Sequence, residues 1–328
     1  MIKNIFSKFN WKLWLAIAVI FVLLIILASF IFRFEATRKV FNSNLSIIEI
    51  NEGESKVQIA DKLYQQHAIN SKIVFLIAAL KDREPWHYGL YQIEDSYSIN
   101  DWITNFSSGR NLVVKITIPE GWRREQIGRA MESKGITAEK EFDAAAANSE
   151  GKLYPTTYYF KPNSVAAEVV AKMTEVFADT TSDLNLSAKD LILASIVERE
   201  TDHDAAEKSI IAGIYKNRLA INMKLQADPT GIYANDTLQY FKLDSSDQKT
   251  YKFWGVLSIS ELDALGSAYN TYYSSGLPPA PICNPSLETI QATLNYTKSD
   301  YYYFQHINGK FYPAKTYEEH LANSKSAS

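Results

Sequence analysis

The chain has 328 residues, a net charge of -3, 46% hydrophobic and 22% charged residues, and a single cysteine. That length admits a membrane anchor and roughly two domains. No Lys/Arg block marks a nucleic-acid partner, the lone Cys283 excludes an internal disulfide framework or a multi-thiolate metal site, and His67, His87, His203, His306 and His320 show no ligand spacing, so neither a metal nor another cofactor is expected.

Read in chain order, the first feature is Trp11 to Phe32, which carries one charge, Lys12, near its start and then about twenty apolar residues, enough to cross a bilayer. It is too long for a signal-peptide core, and residues 13–32 are read as an uncleaved transmembrane anchor. Lys3, Lys8 and Lys12 before the span balance Arg33, Arg38 and Lys39 after it. The absence of acids before the span, against Glu35 and a long polar chain after it, favours residues 1–12 in the cytoplasm.

Residues 33–45 read as a polar connector. An alternating stretch from Leu45 ends at Gly53, and Val57, Ile59, Ala60, Leu63 and Tyr64 at helical spacing predict a helix over 56–67, followed by another over 71–81. Strands are expected at 86–93 and 112–118, with a helix over 98–106 between them. Past a turn at 119–122, helices are expected at 124–134, 138–148 and 165–177, with an aromatic-rich loop or strand over 151–160. The fold class is α+β.

The segment 187–201 joins a strongly apolar helical run to two carboxylates. Ser187 is placed as an N-cap, with Asp190 where a capping-box acid stands. At about 100° per residue, Glu200 lies over Leu193, Ile196 and Val197, while Glu198 lies roughly 200° away with Leu191 and Ala194. A carboxyl closing an apolar stripe is partly desolvated and keeps its proton towards neutral pH, as a general acid needs. A solvated helix end would have the same residues. Asp204 and Glu207 then form a capping-box pattern for a helix carrying Ile210, Ile211, Ile214, Tyr215 and Leu219 on one side.

The polar residues 235–251 read as a loop or small hairpin. Residues 268–286 are too rich in Pro and Gly for a helix or central strand and suit a rigid loop lining a groove. A helix over 287–294, a hairpin turning at Asn308-Gly309 and a short polar helix from Thr316 complete the chain.

Taken together, Pro119-Glu-Gly-Trp122, Leu153-Tyr-Pro155, Ala194-Ser-Ile-Val-Glu-Arg-Glu-Thr201, Asn217-Arg-Leu219, Leu225-Gln-Ala-Asp-Pro-Thr230 with Tyr233, Tyr269-Asn-Thr-Tyr272, and Gly276-Leu-Pro-Pro279 with Asn284-Pro285 resemble, in this order, the endolytic murein transglycosylase (YceG-like) family. The resemblance runs from about Leu45 to the tail. It implies a single-pass protein of the cytoplasmic (inner) membrane, with a LysM-like module over 45–115 and an α+β catalytic domain over 116–325 facing the cell wall. The implied reaction cuts nascent peptidoglycan strands internally, between N-acetylmuramic acid and N-acetylglucosamine, leaving a 1,6-anhydromuramic end. In the family the catalytic glutamate is the second acid of the Glu-x-Glu-Thr motif, which is Glu200 here.

Gln226, Asp228 and Asn270 are then candidates to support positive charge on the sugar ring, and Tyr272, Glu198 and Tyr233 complete the substrate-binding set. Each has a plainer alternative. Gln226 and Asp228 could cap the turn at Pro229, Asn270 and Tyr272 could brace the Pro-rich loop, Glu198 could orient its neighbours or pair with Arg218, and Tyr233 could be core; Arg199 is expected to be solvated. The implied partners are glycan strands and penicillin-binding proteins of the elongation or division machinery. Two other readings compete: an anchored wall-binding protein without catalysis, and a hydrolase adding water with Asp228 as its second carboxylate. The chain departs from the family pattern at Thr156, where an acid is usual, and at Ala280, where glycine is usual.

Overall fold

The computed structural model describes residues 11–41, 47–93, 96–201 and 205–326, and the chain divides into two compact units between Val114 and Lys115. The first unit contains, in order, α1 (Trp11–Thr37), β1 (Val40–Phe41), β2 (Ile47–Ile50), α2 (Lys56–Gln65), α3 (Lys72–Lys81), β3 (Gly89–Gln92), β4 (Ser96–Tyr97), α4 (Ile99–Ser108) and the start of β5 (Leu112–Thr117). The 27 residues of α1 rise about 40 Å, and the helix is long and apolar enough to cross a membrane. It runs through Arg33 to Thr37, beyond the start expected for the connector, because Phe32 packs on the core of the unit and Ala36 is buried there.

Strands β2 and β3 pair antiparallel with Ile48 opposite Tyr91, so that Ile48, Ile50 and Tyr91 reach the core from alternate positions. Leu63, Phe75, Trp102 and Phe106 fill it. Helices α2, α3 and α4 each start on a serine: Ser55 and Ser98 form capping boxes with Gln58 and Asp101, and Ser71 caps α3. Gly109, at φ 64, ends α4 in the left-handed conformation that glycine adopts without strain.

The second unit begins within β5 and continues as α5 (Arg124–Ser133), α6 (Glu139–Ala145), β6 (Thr157–Phe160), α7 (Ala166–Thr180), α8 (Ala188–Val197), α9 (Ala205–Ala220), α10 (Asp228–Tyr240), α11 (Ser245–Thr250), α12 (Ile259–Ala264), α13 (Leu287–Leu294), β7 (Tyr303–Ile307), β8 (Lys310–Ala314) and α14 (Tyr317–Ser326). Helix α8 is its axis: Leu193 to Val197 are all at most 2% exposed, and α9 and α13 pack against it. The β7–β8 hairpin turns through Asn308 and Gly309 at φ 54 and 72, the positive pair that a two-residue turn requires. The capping pattern at Asp204 lies outside the described residues.

The region 235–251 is not the expected loop or hairpin. Helix α10 runs to Tyr240 and α11 follows, with Pro229 in the first turn of α10 where its missing N–H costs nothing. The polar residues that obscured this helix are used internally. Asp236 is 2% exposed and accepts the Tyr251 hydroxyl at 2.8 Å and the Trp254 N–H at 2.7 Å. Pairing of this kind is what allows a polar sequence to be buried.

Arg123 is the most consequential buried polar group. It is 0% exposed, donates from Nε to Glu125 at 2.6 Å and from Nη2 to Thr237 at 2.8 Å, and lies 4.2 Å above the Tyr233 ring. Burial pushes the Glu125 carboxyl up, but the Arg123 guanidinium holds it below the usual range. Arg123→Leu takes the closer of two cations from that buried carboxylate, leaving Arg124 Nη2 at 3.0 Å, and is expected to cost about 2–3 kcal/mol in urea unfolding. A loss below about 1 kcal/mol would show that the pair does not carry this region.

Candidate active site

Beyond Val197 the last turn of α8 tightens, with the Arg199 N–H bonding to Ile196 O at 3.0 Å and the Glu200 N–H to Val197 O at 3.1 Å. Glu198 is the C-cap residue, and Glu200 lies in the turn rather than on the helix. The helical-wheel spacing therefore does not describe the two acids. Glu198 is the more buried, at 9%, while Glu200 remains partly exposed.

Glu200 Oε1 accepts the hydroxyl of Tyr215, which α9 delivers from a position only 1% exposed. Burial pushes the Glu200 carboxyl up to about 7; the Tyr215 hydroxyl draws it back down, and the charge of Asp228 adds to the rise. Tyr215 is itself raised well above its ordinary value by burial and by Glu200, so it stays a neutral donor. This is a carboxyl that exchanges its proton near neutral pH.

The start of α10 supplies the neighbouring wall. Asp228 stands in the first turn, where the helix dipole favours an anion, and accepts the Tyr272 hydroxyl at 2.6 Å. The two motifs carrying these residues are stitched together by backbone: Gln226 N–H to Thr271 O at 3.3 Å, Ala227 N–H to Thr271 Oγ1 at 2.9 Å, and Thr271 N–H to Thr230 Oγ1 at 3.0 Å. Gln226 is exposed with φ 47, a conformation that non-glycine residues seldom adopt. The structure thus brings Glu200, Tyr215, Asp228 and Tyr272 into one electrostatically linked group, with Gln226 two positions before Asp228 in the chain.

Other candidates serve as braces. Asn270 is 0% exposed, its Nδ2 donating to Leu262 O at 2.7 Å and Leu265 O at 2.8 Å, so it shapes the loop from inside. Glu198 accepts both the N–H and the hydroxyl of Ser286 at 2.9 Å and so holds the N-cap of α13. The pairing considered for Glu198 does not form, since Arg218 donates to Tyr302 O and Leu225 O. Arg199 is not solvated as expected: its guanidinium lies 4.3 Å over the Trp254 ring. Tyr233 is 8% exposed, stacked under Arg123, and borders a separate cavity together with Tyr269.

Tyr215 was absent from the candidates because it falls within the apolar stripe of α9. Its signal was the phenolic hydroxyl, which needs a partner when buried. Asn284 ties its own motif to two others: its backbone exchanges bonds with Gly121 and Trp122 at 2.9 Å, and its Oδ1 accepts the Leu153 N–H at 2.9 Å.

The YceG-like family model matches residues 48–326. A protein of Streptococcus pneumoniae strain R6 named endolytic murein transglycosylase is 26% identical over 326 residues, covering 84% of this chain and 57% of its own length. The chain thus spans little more than half of that relative. A protein of the same name from Bacillus subtilis strain 168 is 29% identical over 312 residues, covering 83% of this chain and 82% of its own. Among solved structures, a YceG-like protein from Listeria monocytogenes is similar with a TM-score of 0.53 and 26% identity, over 84% of this chain and 97% of that one. With the family model matched along almost the whole chain after α1, the chain belongs to the YceG-like family.

Proposed function

We propose that the chain is an endolytic lytic transglycosylase of peptidoglycan, with Glu200 as its general acid and base. The observation that carries this reading is the Glu200 carboxyl, raised to about 7 and oriented by a buried tyrosine at the edge of a polar wall. The names of the relatives support the same activity. Protonated Glu200 donates to the glycosidic oxygen as the bond from muramic acid C1 breaks. The C6 hydroxyl of that sugar then attacks C1, Glu200 accepts its proton, and a 1,6-anhydro ring closes. Because the nucleophile belongs to the substrate, one carboxyl serves both steps, and intramolecularity supplies part of the rate. Asp228, held by Tyr272, faces the charge that develops on the ring.

In the same reading, α1 anchors the chain in the cytoplasmic membrane with residues 1–12 inside and the rest on the wall side. Residues 45–115 form a LysM-like module gripping glycan, a reading supported by their small β-α-α-β core, and residues 116–325 form the catalytic domain. Penicillin-binding proteins that extend the same strands are the proposed partners.

Mass spectrometry of uncrosslinked glycan strands incubated with the detergent-solubilised chain is expected to detect internal fragments ending in 1,6-anhydromuramic acid, reduced at least 100-fold by Glu200→Gln. Hydrated reducing ends would instead assign a hydrolase, with Asp228 as the second carboxylate. Binding without any cleavage would leave a wall-binding protein.

The shift of Glu200 also sets a pH dependence of stability. Its folded value of about 7 lies above the ordinary 4.5, so its contribution is fully present below pH 4.5 and is lost as pH rises through 7. Glu200→Gln has no such dependence. Urea unfolding is expected to show the variant gaining about 3 kcal/mol on the wild type between pH 4.5 and pH 8. An unchanged difference would mean that the carboxyl is ordinary.

A further inference from the structure

A cavity of about 720 Å³ opens at the other end of α8 from the Glu200 turn. Leu191 and Ile192 of α8, Tyr269 and Pro281 of the Pro-rich loop, and Tyr233 of α10 give it an apolar wall, and Arg124, Glu150 and Lys152 stand along it. From Leu191 to Val197 the helix alone rises about 9 Å, and the Glu200 turn lies beyond that, so one sugar ring does not span both. The same three elements nevertheless serve both places: α10 carries Asp228 near Glu200 and Tyr233 at the cavity, and the loop carries Tyr272 at Asp228 and Tyr269 at the cavity. A ligand lying along these elements touches the two in turn.

The charges select among ligands. An all-hydroxyl sugar needs neither cations nor an anion beside an apolar wall, whereas a short peptide bearing methyl groups, carboxylates and an ammonium uses all of them. Lys152 is exposed and available to a carboxylate. Glu150 is fixed by Asn284 Nδ2 at 2.8 Å and by the Arg124 N–H at 3.1 Å from Oε2, which leaves acceptor capacity for an ammonium. Gly151 lies between these two residues at φ 85, and a Cβ there would sit 2.6 Å from Pro281, so the backbone bearing both charges is pressed directly against the apolar wall.

We propose that this cavity receives the stem peptide of the peptidoglycan strand being cut, with Lys152 facing a peptide carboxylate and Glu150 a peptide ammonium. The proposal rests on the reading of the substrate given above. It makes the chain selective for strands that still carry their peptides.

The test compares cleavage of glycan strands bearing stem peptides with the same strands stripped by an amidase, using the full chain in detergent. The wild type is expected to favour the peptide-bearing strands about tenfold. In Lys152→Glu and Glu150→Gln the ratio falls towards one. Equal rates in the wild type, or a preference that both variants keep, would overturn the proposal. If neither strand is cut, the transglycosylase reading has failed, and calorimetry with a synthetic stem pentapeptide decides the cavity: binding lost in Lys152→Glu supports the proposal, and no binding by the wild type overturns it.

Discussion

Ser195 fixes the geometry on which the second unit depends. It sits in the interior of α8 at 0% exposure, where a hydroxyl ordinarily competes with the helix for its hydrogen bonds. Here it donates to Ile192 O at 2.7 Å and accepts the Ile282 N–H at 3.0 Å, while its carbonyl receives the Cys283 thiol at 3.1 Å. The Pro-rich loop is thereby hung on the most buried helix of the unit. Prolines stiffen that loop, so a few attachment points suffice to define its course. One end of it positions Tyr272 against Asp228, and the other brings Asn284 to Trp122 and Ser286 to Glu198. Burial pushes the Cys283 thiol well up, which leaves it an inert donor rather than a reactive group.

Two acids separated by one residue meet different fates for the same reason. Glu198 is turned inward, where the Ser286 N–H and hydroxyl answer its carboxylate and the Lys208 ammonium stands 3.9 Å away. Glu200 stays partly exposed in the turn, where burial costs it charge and Tyr215 returns only part of that cost. A cation in place of Tyr215 would lower the carboxyl far more and leave it without a proton to give. The neutral phenol orients the group while leaving its proton exchangeable.

In the sequence the apolar run ending in two acids drew attention to Glu200, but a solvated helix end has the same residues, and it was the resemblance to the family's Glu-x-Glu-Thr motif that singled this acid out; the helical phase offered for it gives way to a tightened turn. The cap of α8 at Ser187 was legible as well, its Oγ accepting the Asp190 N–H at 3.2 Å, though the Asp190 carboxylate accepts the Ser187 hydroxyl at 2.5 Å and Lys216 at 2.9 Å instead of the Ser187 N–H that would close the box. What escaped notice were groups whose partners lie far away in the chain. Arg199 looks solvated until Trp254, 55 positions on, comes to lie under it, and nothing near Arg123 in the chain foretells Tyr233 and Thr237, which close over it. Asn270 was a candidate for the sugar ring with bracing the loop as the plainer alternative, and its amide is consumed by the Leu262 and Leu265 carbonyls at the end of α12. Local pattern reports which side chains need partners; it does not report which partners arrive.

The two departures from the family pattern bear on different parts of the unit. At Thr156 the loop is held by its backbone, the carbonyl accepting the Ile118 N–H at 2.9 Å, so the absence of an acidic side chain removes nothing that this bond provides. Ala280 is absent from the residues with positive φ, which means that its place in the loop does not demand glycine and that alanine sits there without strain. Its methyl falls on the wall of the cavity, between Pro279 and Pro281. The substitution therefore alters the surface offered to whatever occupies that cavity, leaving the path of the loop, and with it the approach to Glu200, as the Ser195 clamp sets them.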